Sequence, residues 1–111
     1  MGVIVIVSFK PKEGKSDLLL EAVREHLPVL RKEGLITDRE GYAMRSKDGC
    51  IIEVFEWKSE EAIEKAHKSE AVLNLWKKFE EACDYIPLTE IKESKDLFPG
   101  FAPVNFFKMM K

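Results

Sequence analysis

An α+β fold of the ferredoxin-like kind is what this sequence predicts, with strands and helices in the order β-α-β-β-α-β. Three observations carry that prediction. An apolar, β-branched run opens the chain. A stretch with helical spacing follows it. Two further strand-like runs are then parted by a single tight turn before helical spacing returns. One sheet with helices on one face satisfies all three. With 111 residues there is room for one core and not for two.

The first strand is Val3-Ile4-Val5-Ile6-Val7-Ser8-Phe9, and Lys10 to Gly14 breaks it. From Ser16 to Glu33, Leu19, Leu20, Val23, Leu27 and Leu30 fall at helical spacing. Pro28 should kink or divide that helix, because it has no N–H and crowds the preceding turn. Gly34 reads as the residue that ends it. Leu35 to Arg45 reads as strand two, with Gly41 as a bulge or bend. Cys50 to Trp57 is strand three, joined to it by the turn Ser46 to Gly49 as an antiparallel hairpin. Ser59 caps a short helix that runs to Lys68, and Ser69 caps a second. That last helix carries Val72, Leu73, Trp76, Phe79 and Cys83 on one stripe. Ile86 to Ile91 is expected as strand four. Residues 1–93 make the domain. Residues 94–111 form a tail whose Phe98, Phe101, Phe106 and Phe107 are too apolar for a solvated linker and should pack on the body or on a partner chain.

Strands one and three are apolar at both parities, so both sheet faces ask to be buried. Leaving one face wet forgoes several kcal/mol at about 25 cal/mol per Å². A homodimer with the sheets face to face is the expected solution.

Composition narrows the partners. Eighteen Lys and Arg against twenty Asp and Glu offer no basic excess for phosphates, so nucleic acid is not an expected partner. The longest apolar run, Val3 to Val7, is far shorter than a membrane span, and it lacks the flanks of a secretory signal. Cys50 and Cys83 form neither C-x-x-C nor a metal-type spacing, which fits reduced thiols in a cytoplasmic protein. No metal-ligand cluster, phosphate loop or nucleophile motif stands out, so neither metal nor cofactor is expected.

The stretch Glu56-Trp57-Lys58-Ser59-Glu60-Glu61-Ala62-Ile63-Glu64-Lys65-Ala66-His67-Lys68-Ser69 resembles the signature of the antibiotic biosynthesis monooxygenase family. That family shows an acid and a Trp at the end of its third strand, a small cap, and an Ala-rich helix ending Ala-His-x-Ser. The opening strand, Lys10 to Gly14, and Glu33-Gly34 are similar too, so the resemblance spans residues 3–92. It implies a dimeric α+β barrel with a pocket between helices and sheet in each protomer. It leaves the reaction open, because one scaffold hosts many chemistries. The haem-degrading branch places Asn, Trp and His where Val7, Ala66 and Trp76 stand here, so haem degradation is not expected. The anthrone-oxidising branch has a Trp like Trp57, with an Asn and an aromatic where this chain has Glu53 and Ile63.

The candidate site follows from these residues. Trp57 is either an aromatic wall against a planar ligand or a core Trp with its N–H satisfied. Trp76 and Phe79, three apart, line an aromatic pocket or simply fill the core. His67, four after Ile63, should share the apolar side of its helix. It is the candidate catalytic base, or else a histidine that braces a helix end. Glu53 is costly if it points inward unpaired, so it is functional or meets a polar partner across the dimer. His26, beside Leu27 and Pro28, reads as a boundary residue, and Tyr85 as a hydrogen-bond donor at a helix end. The expected function is a cofactor-independent monooxygenase acting on a small aromatic or quinol-type molecule. The alternatives are a non-catalytic ligand-binding or stress-associated module, whose cavity would hold no titratable group, and an isomerase or lyase of a small metabolite.

Overall fold

The computed structural model describes residues 2–105. Its elements are β1 (Val3–Pro11), α1 (Ser16–Lys32), β2 (Tyr42–Arg45), β3 (Ile51–Trp57), α2 (Glu60–Ala66), α3 (Glu70–Ala82), β4 (Cys83–Ile86) and β5 (Ala102–Pro103). They form one antiparallel sheet of order β4-β1-β3-β2-β5. This is the α+β ferredoxin-like arrangement, extended at one edge by β5.

Each helix begins and ends where its chemistry dictates. Gly34, at φ 72°, follows the last turn of α1. Its N–H reaches the Arg31 carbonyl and the Leu35 N–H reaches the Leu30 carbonyl, both at 3.0 Å. That paired closure needs a left-handed residue, and glycine takes that conformation without a Cβ clash. It also lays Leu35 against Leu30 in the core. Ser59 and Ser69 accept from the N–H groups of Ala62 and Val72, which starts α2 and α3. Pro28 does not divide α1, which runs unbroken through it.

Four boundaries differ from expectation. Strand two is a single Ile36–Trp57 bridge and then, after an excursion, Tyr42–Arg45. Ile36 faces Trp57 and Tyr42 faces Val54, so five residues lie opposite two. The excursion is held by the Glu56 carboxylate, which accepts from Thr37 Oγ1 and Arg39 Nε, each at 2.9 Å. Gly41 ends it, where a Cβ would lie 2.5 Å from Leu27 Cδ1 and 2.9 Å from the Val54 carbonyl. Strand four begins at Cys83, directly after α3, and stops at Ile86. Pro87 cannot donate to the ladder, and a 3₁₀ turn follows it. The tail adds β5, which the sequence reading missed. Of the expected tail anchors, Phe101 packs on a core cluster and Phe98 is exposed. Phe106 and Phe107 lie outside the described residues.

The register assigns the two sheet faces. Val3, Val5, Val7 and Phe9 share the helix-covered face with Trp57, Phe55, Glu53 and Ile51. Ile4, Ile6 and Ser8 share the other face with Val54 and Ile52. Part of that face is covered by the chain after β4: Ile91 and Phe101 pack over Ile52. Ile4 and Ile6 remain 60% and 52% exposed. Cys50 and Cys83 are free thiols in different clusters on opposite faces. Among the described residues no helix is long and apolar enough to cross a membrane.

Candidate active site

A cavity of about 560 Å³ opens between α3 and the helix-covered face of the sheet. Val5, Val7 and Phe9 of β1 and Phe55 and Trp57 of β3 form its floor. Trp76, Phe79 and Glu80 of α3 form one wall, Tyr85 of β4 another, and His26 of α1 closes it. Phe9, Phe79 and His26 are buried at its deep end, whereas Glu80 and Tyr85 are exposed at its mouth.

The strand alternation puts β1 and β3 side chains on this floor at every second position. The helical period sets the wall: Trp76, Phe79 and Glu80 fall within one turn. The rings support one another. Phe9 stacks on Phe79 at 4.9 Å and leans on Tyr85 at 5.5 Å. Phe55 lies 5.4 Å from Trp57. Aromatic contacts of this kind hold their rings in preferred orientations.

His26 is the polar group of the cavity's deep end. Its ring stands edge-on between Phe55 and Phe79, at 5.3 and 5.0 Å. Its Nδ1 lies 2.6 Å from Glu53 Oε1, and both side chains are buried. A carboxylate accepts only, so Nδ1 carries the hydrogen of this bond and Nε2 is the ring nitrogen that Glu53 leaves free. Two rings and a short charge-assisted bond thus fix the imidazole's tautomer and tilt. Glu53 answers the cost of an inward acid on β3: it is paired across the core, not across a dimer.

Tyr85 brings a phenol to the mouth. Partial burial pushes it up to about 12, with Cys83 and Glu80 adding to the shift, so it stays a neutral donor. Cys83, buried beneath, is pushed up to about 11 by burial foremost, and donates to the Phe79 carbonyl. That thiol is not a nucleophile at neutral pH. No cluster of three or more His, Cys, Asp or Glu among the described residues is placed to hold a metal ion.

Of the residues singled out in the sequence, Trp57, Trp76 and Phe79 line the cavity and Glu53 sits behind it on His26. His67 is elsewhere. It is exposed at the end of α2, its Nδ1 2.8 Å from the Ile63 carbonyl and its ring 5.0 Å from Trp76. It braces the outside of the wall that Trp76 presents to the cavity. The helix ends one residue before His67, which keeps helical dihedrals there as its C-cap. His26, Phe9, Phe55, Glu80 and Tyr85 also line the cavity, and the sequence does not single them out for it. For His26 and Phe55 a signal existed. His26 lies three and seven residues after Val23 and Leu19 on one stripe, and Phe55 shares a parity with the inward Glu53.

The sequence pattern of the antibiotic biosynthesis monooxygenases matches residues 2–78. The chain belongs to that family. Solved structures that share the fold include two of low sequence identity. Protein SO0527 from Shewanella oneidensis is similar at 20% identity and a TM-score of 0.61, over 77% of this chain and 84% of that one. PA3566 from Pseudomonas aeruginosa is similar at 16% identity and a TM-score of 0.58, over 75% of this chain and 89% of that one. No curated protein sequence matches the chain. The family match ends within α3, so Phe79, Glu80 and Tyr85 are cavity residues outside the matched segment.

Proposed function

We propose that the protein is a cofactor-independent monooxygenase that oxidises a small, planar phenol or quinol in the aromatic cavity. One observation carries this reading: a single buried imidazole, fixed by Glu53, lines a hollow of about 560 Å³ walled by aromatic rings and two valines, with Glu80 only at its mouth. A plain ligand-binding module would have no need of a titratable group there.

The mechanism asks the protein for three things. His26 Nε2 takes the proton of the phenolic hydroxyl. The aromatic walls hold the resulting phenolate flat and dry. Tyr85, a neutral donor, hydrogen-bonds a second oxygen at the mouth. The electron-rich phenolate then passes an electron to dioxygen itself. For a ring CH₂ that becomes a carbonyl, one oxygen atom of O₂ enters the product. The other leaves as water with the two hydrogens.

We infer also that a second copy covers the free part of the open face. Ile4, Ile6 and Tyr42 are 60%, 52% and 70% exposed there, a patch that water stabilises poorly. The Glu56–Arg39 pair supplies a polar edge, and the Arg39 guanidinium, then Thr37, holds the Glu56 carboxyl below its usual range.

An oxygen electrode with a panel of hydroxylated naphthalenes and anthrones tests the reading. Saturable uptake is expected, with one ¹⁸O atom from labelled O₂ in the product. Absence of both uptake and binding across the panel contradicts it.

A further inference from the structure

We propose that His26 and Glu53 form a proton relay that runs through the helix–sheet layer and ends in a second, separate cleft. The proton's origin on a bound phenol rests on the function proposed above; the path itself does not.

The second hollow, of about 240 Å³, lies on the far side of Glu53. It is lined by Glu53 itself, by Ala43 of β2 and by Arg24, Pro28 and Arg31 of α1. The sheet register fixes the geometry. Val7, Glu53 and Ala43 stand in one row across β1, β3 and β2, on one face. Val7 lines the aromatic cavity and Ala43 the second cleft. Glu53 is therefore the residue between the two hollows. It holds His26 with Oε1 on the cavity side, and it borders the cleft on the other.

The cleft differs from the cavity in chemistry. Charged groups face it from both sides: Arg24 and Arg31 from α1, and Glu40 from the segment before β2. The aromatic cavity has only Glu80, at its mouth. The two guanidinium groups make the cleft a place from which a proton leaves readily.

The step balances without any redox partner. The phenol O–H gives its proton to His26 Nε2. His26 Nδ1 passes its own proton to Glu53, and Glu53 passes one to water in the cleft. The net change is a phenolate in the cavity, a proton in solvent and His26 in its Nε2–H tautomer; the pair is restored when Nε2 gives its proton up to the reduced oxygen and Nδ1 takes one back from the cleft through Glu53. An apolar substrate that plugs the mouth can thus lose its proton without readmitting water past the reacting atoms. Glu53 acts through His26 and is a relay and positioning residue.

The test needs no substrate. Hydrogen exchange of the His26 ring N–H with solvent is followed by NMR in ¹⁵N-histidine protein. Ala43→Leu narrows the cleft and Val7→Phe narrows the cavity; Ala43→Val is the milder cleft variant. The expected result is that Ala43→Leu slows exchange about tenfold, Ala43→Val by less, and Val7→Phe by under about twofold. Slowing by Val7→Phe equal to or greater than that by the cleft variants overturns the relay, and so does no slowing in any of them. Failure of oxygen uptake with the exchange pattern intact removes the proposed reaction and leaves the path standing.

Discussion

The two faces of the sheet are made from the same strands and solve opposite problems. On the helix-covered face, an acid and a histidine are buried among aromatic rings and paired at 2.6 Å. On the open face, isoleucines stand in water although nothing polar keeps them there. A buried hydrogen-bonded polar pair gains little stability over an apolar pair of the same size. An exposed apolar patch is equally costly to a lone chain. Each face gives up stability at a definite place, and those places are where function is to be sought: chemistry on one side, association on the other.

The largest expected difference between the faces is in packing. Phe79→Ala, in the helix-covered core, should cost about 3–5 kcal/mol in denaturant unfolding. Next comes the pair itself. Glu53→Ala leaves His26 without its partner and should cost about 3 kcal/mol, whereas Glu53→Leu with His26→Leu should restore wild-type stability or exceed it. That double variant should bind aromatics and consume no oxygen, separating the pair's chemical use from its structural cost. On the open face, Ile6→Ala should change the stability of the single subunit by no more than about 0.5 kcal/mol. Ile6→Lys should instead shift sedimentation from a dimer to a single subunit. A wild-type chain that sediments as one subunit at micromolar concentration contradicts the open-face association.

The smallest expected effect is the response to alkali, confined to the helix-covered face. Cys83 and Tyr85 are raised from 9.0 and 10.0 to about 11 and about 12. Acids raised in the fold contribute stability that is whole below their unfolded values and lost as pH climbs through the folded ones. Melting temperature should therefore fall between about pH 9 and pH 12, and less steeply in Cys83→Ala and Tyr85→Phe. Iodoacetamide at pH 8 should leave Cys83 unmodified until the chain unfolds.

Local patterns made most of the fold legible. The alternation of β1 and β3, the Gly34 closure and the Ser59 and Ser69 caps act over a few residues, and sequence spacing reveals them. The excursion before Tyr42 depends on Glu56 capturing Arg39, a contact that no period encodes. β4 lies earlier than its sequence suggests because Cys83 continues the helical stripe of α3 and Pro87 ends the strand rather than starting it. Half of the site was legible for the same reason. Trp57, Trp76 and Phe79 belong to strong periodic elements, so their placement on one hollow follows from the fold. Which histidine lines the hollow does not. His26 and Glu53 lie 27 residues apart, and only tertiary packing joins them. Judged by its neighbours Leu27 and Pro28, His26 looked like a boundary residue. The family-like Ala-His-x-Ser segment points instead to His67, which lies outside the lining of the hollow.

The two histidines therefore offer the most direct measurement. Oxygen uptake on one active quinol is compared for wild type, His26→Ala and His67→Ala, each checked for native melting behaviour. The expected result is a loss of at least about 100-fold in His26→Ala, with His67→Ala within about threefold of wild type. Full uptake without the His26 imidazole, or uptake abolished only when His67 is removed, would contradict a reaction centred on the buried pair.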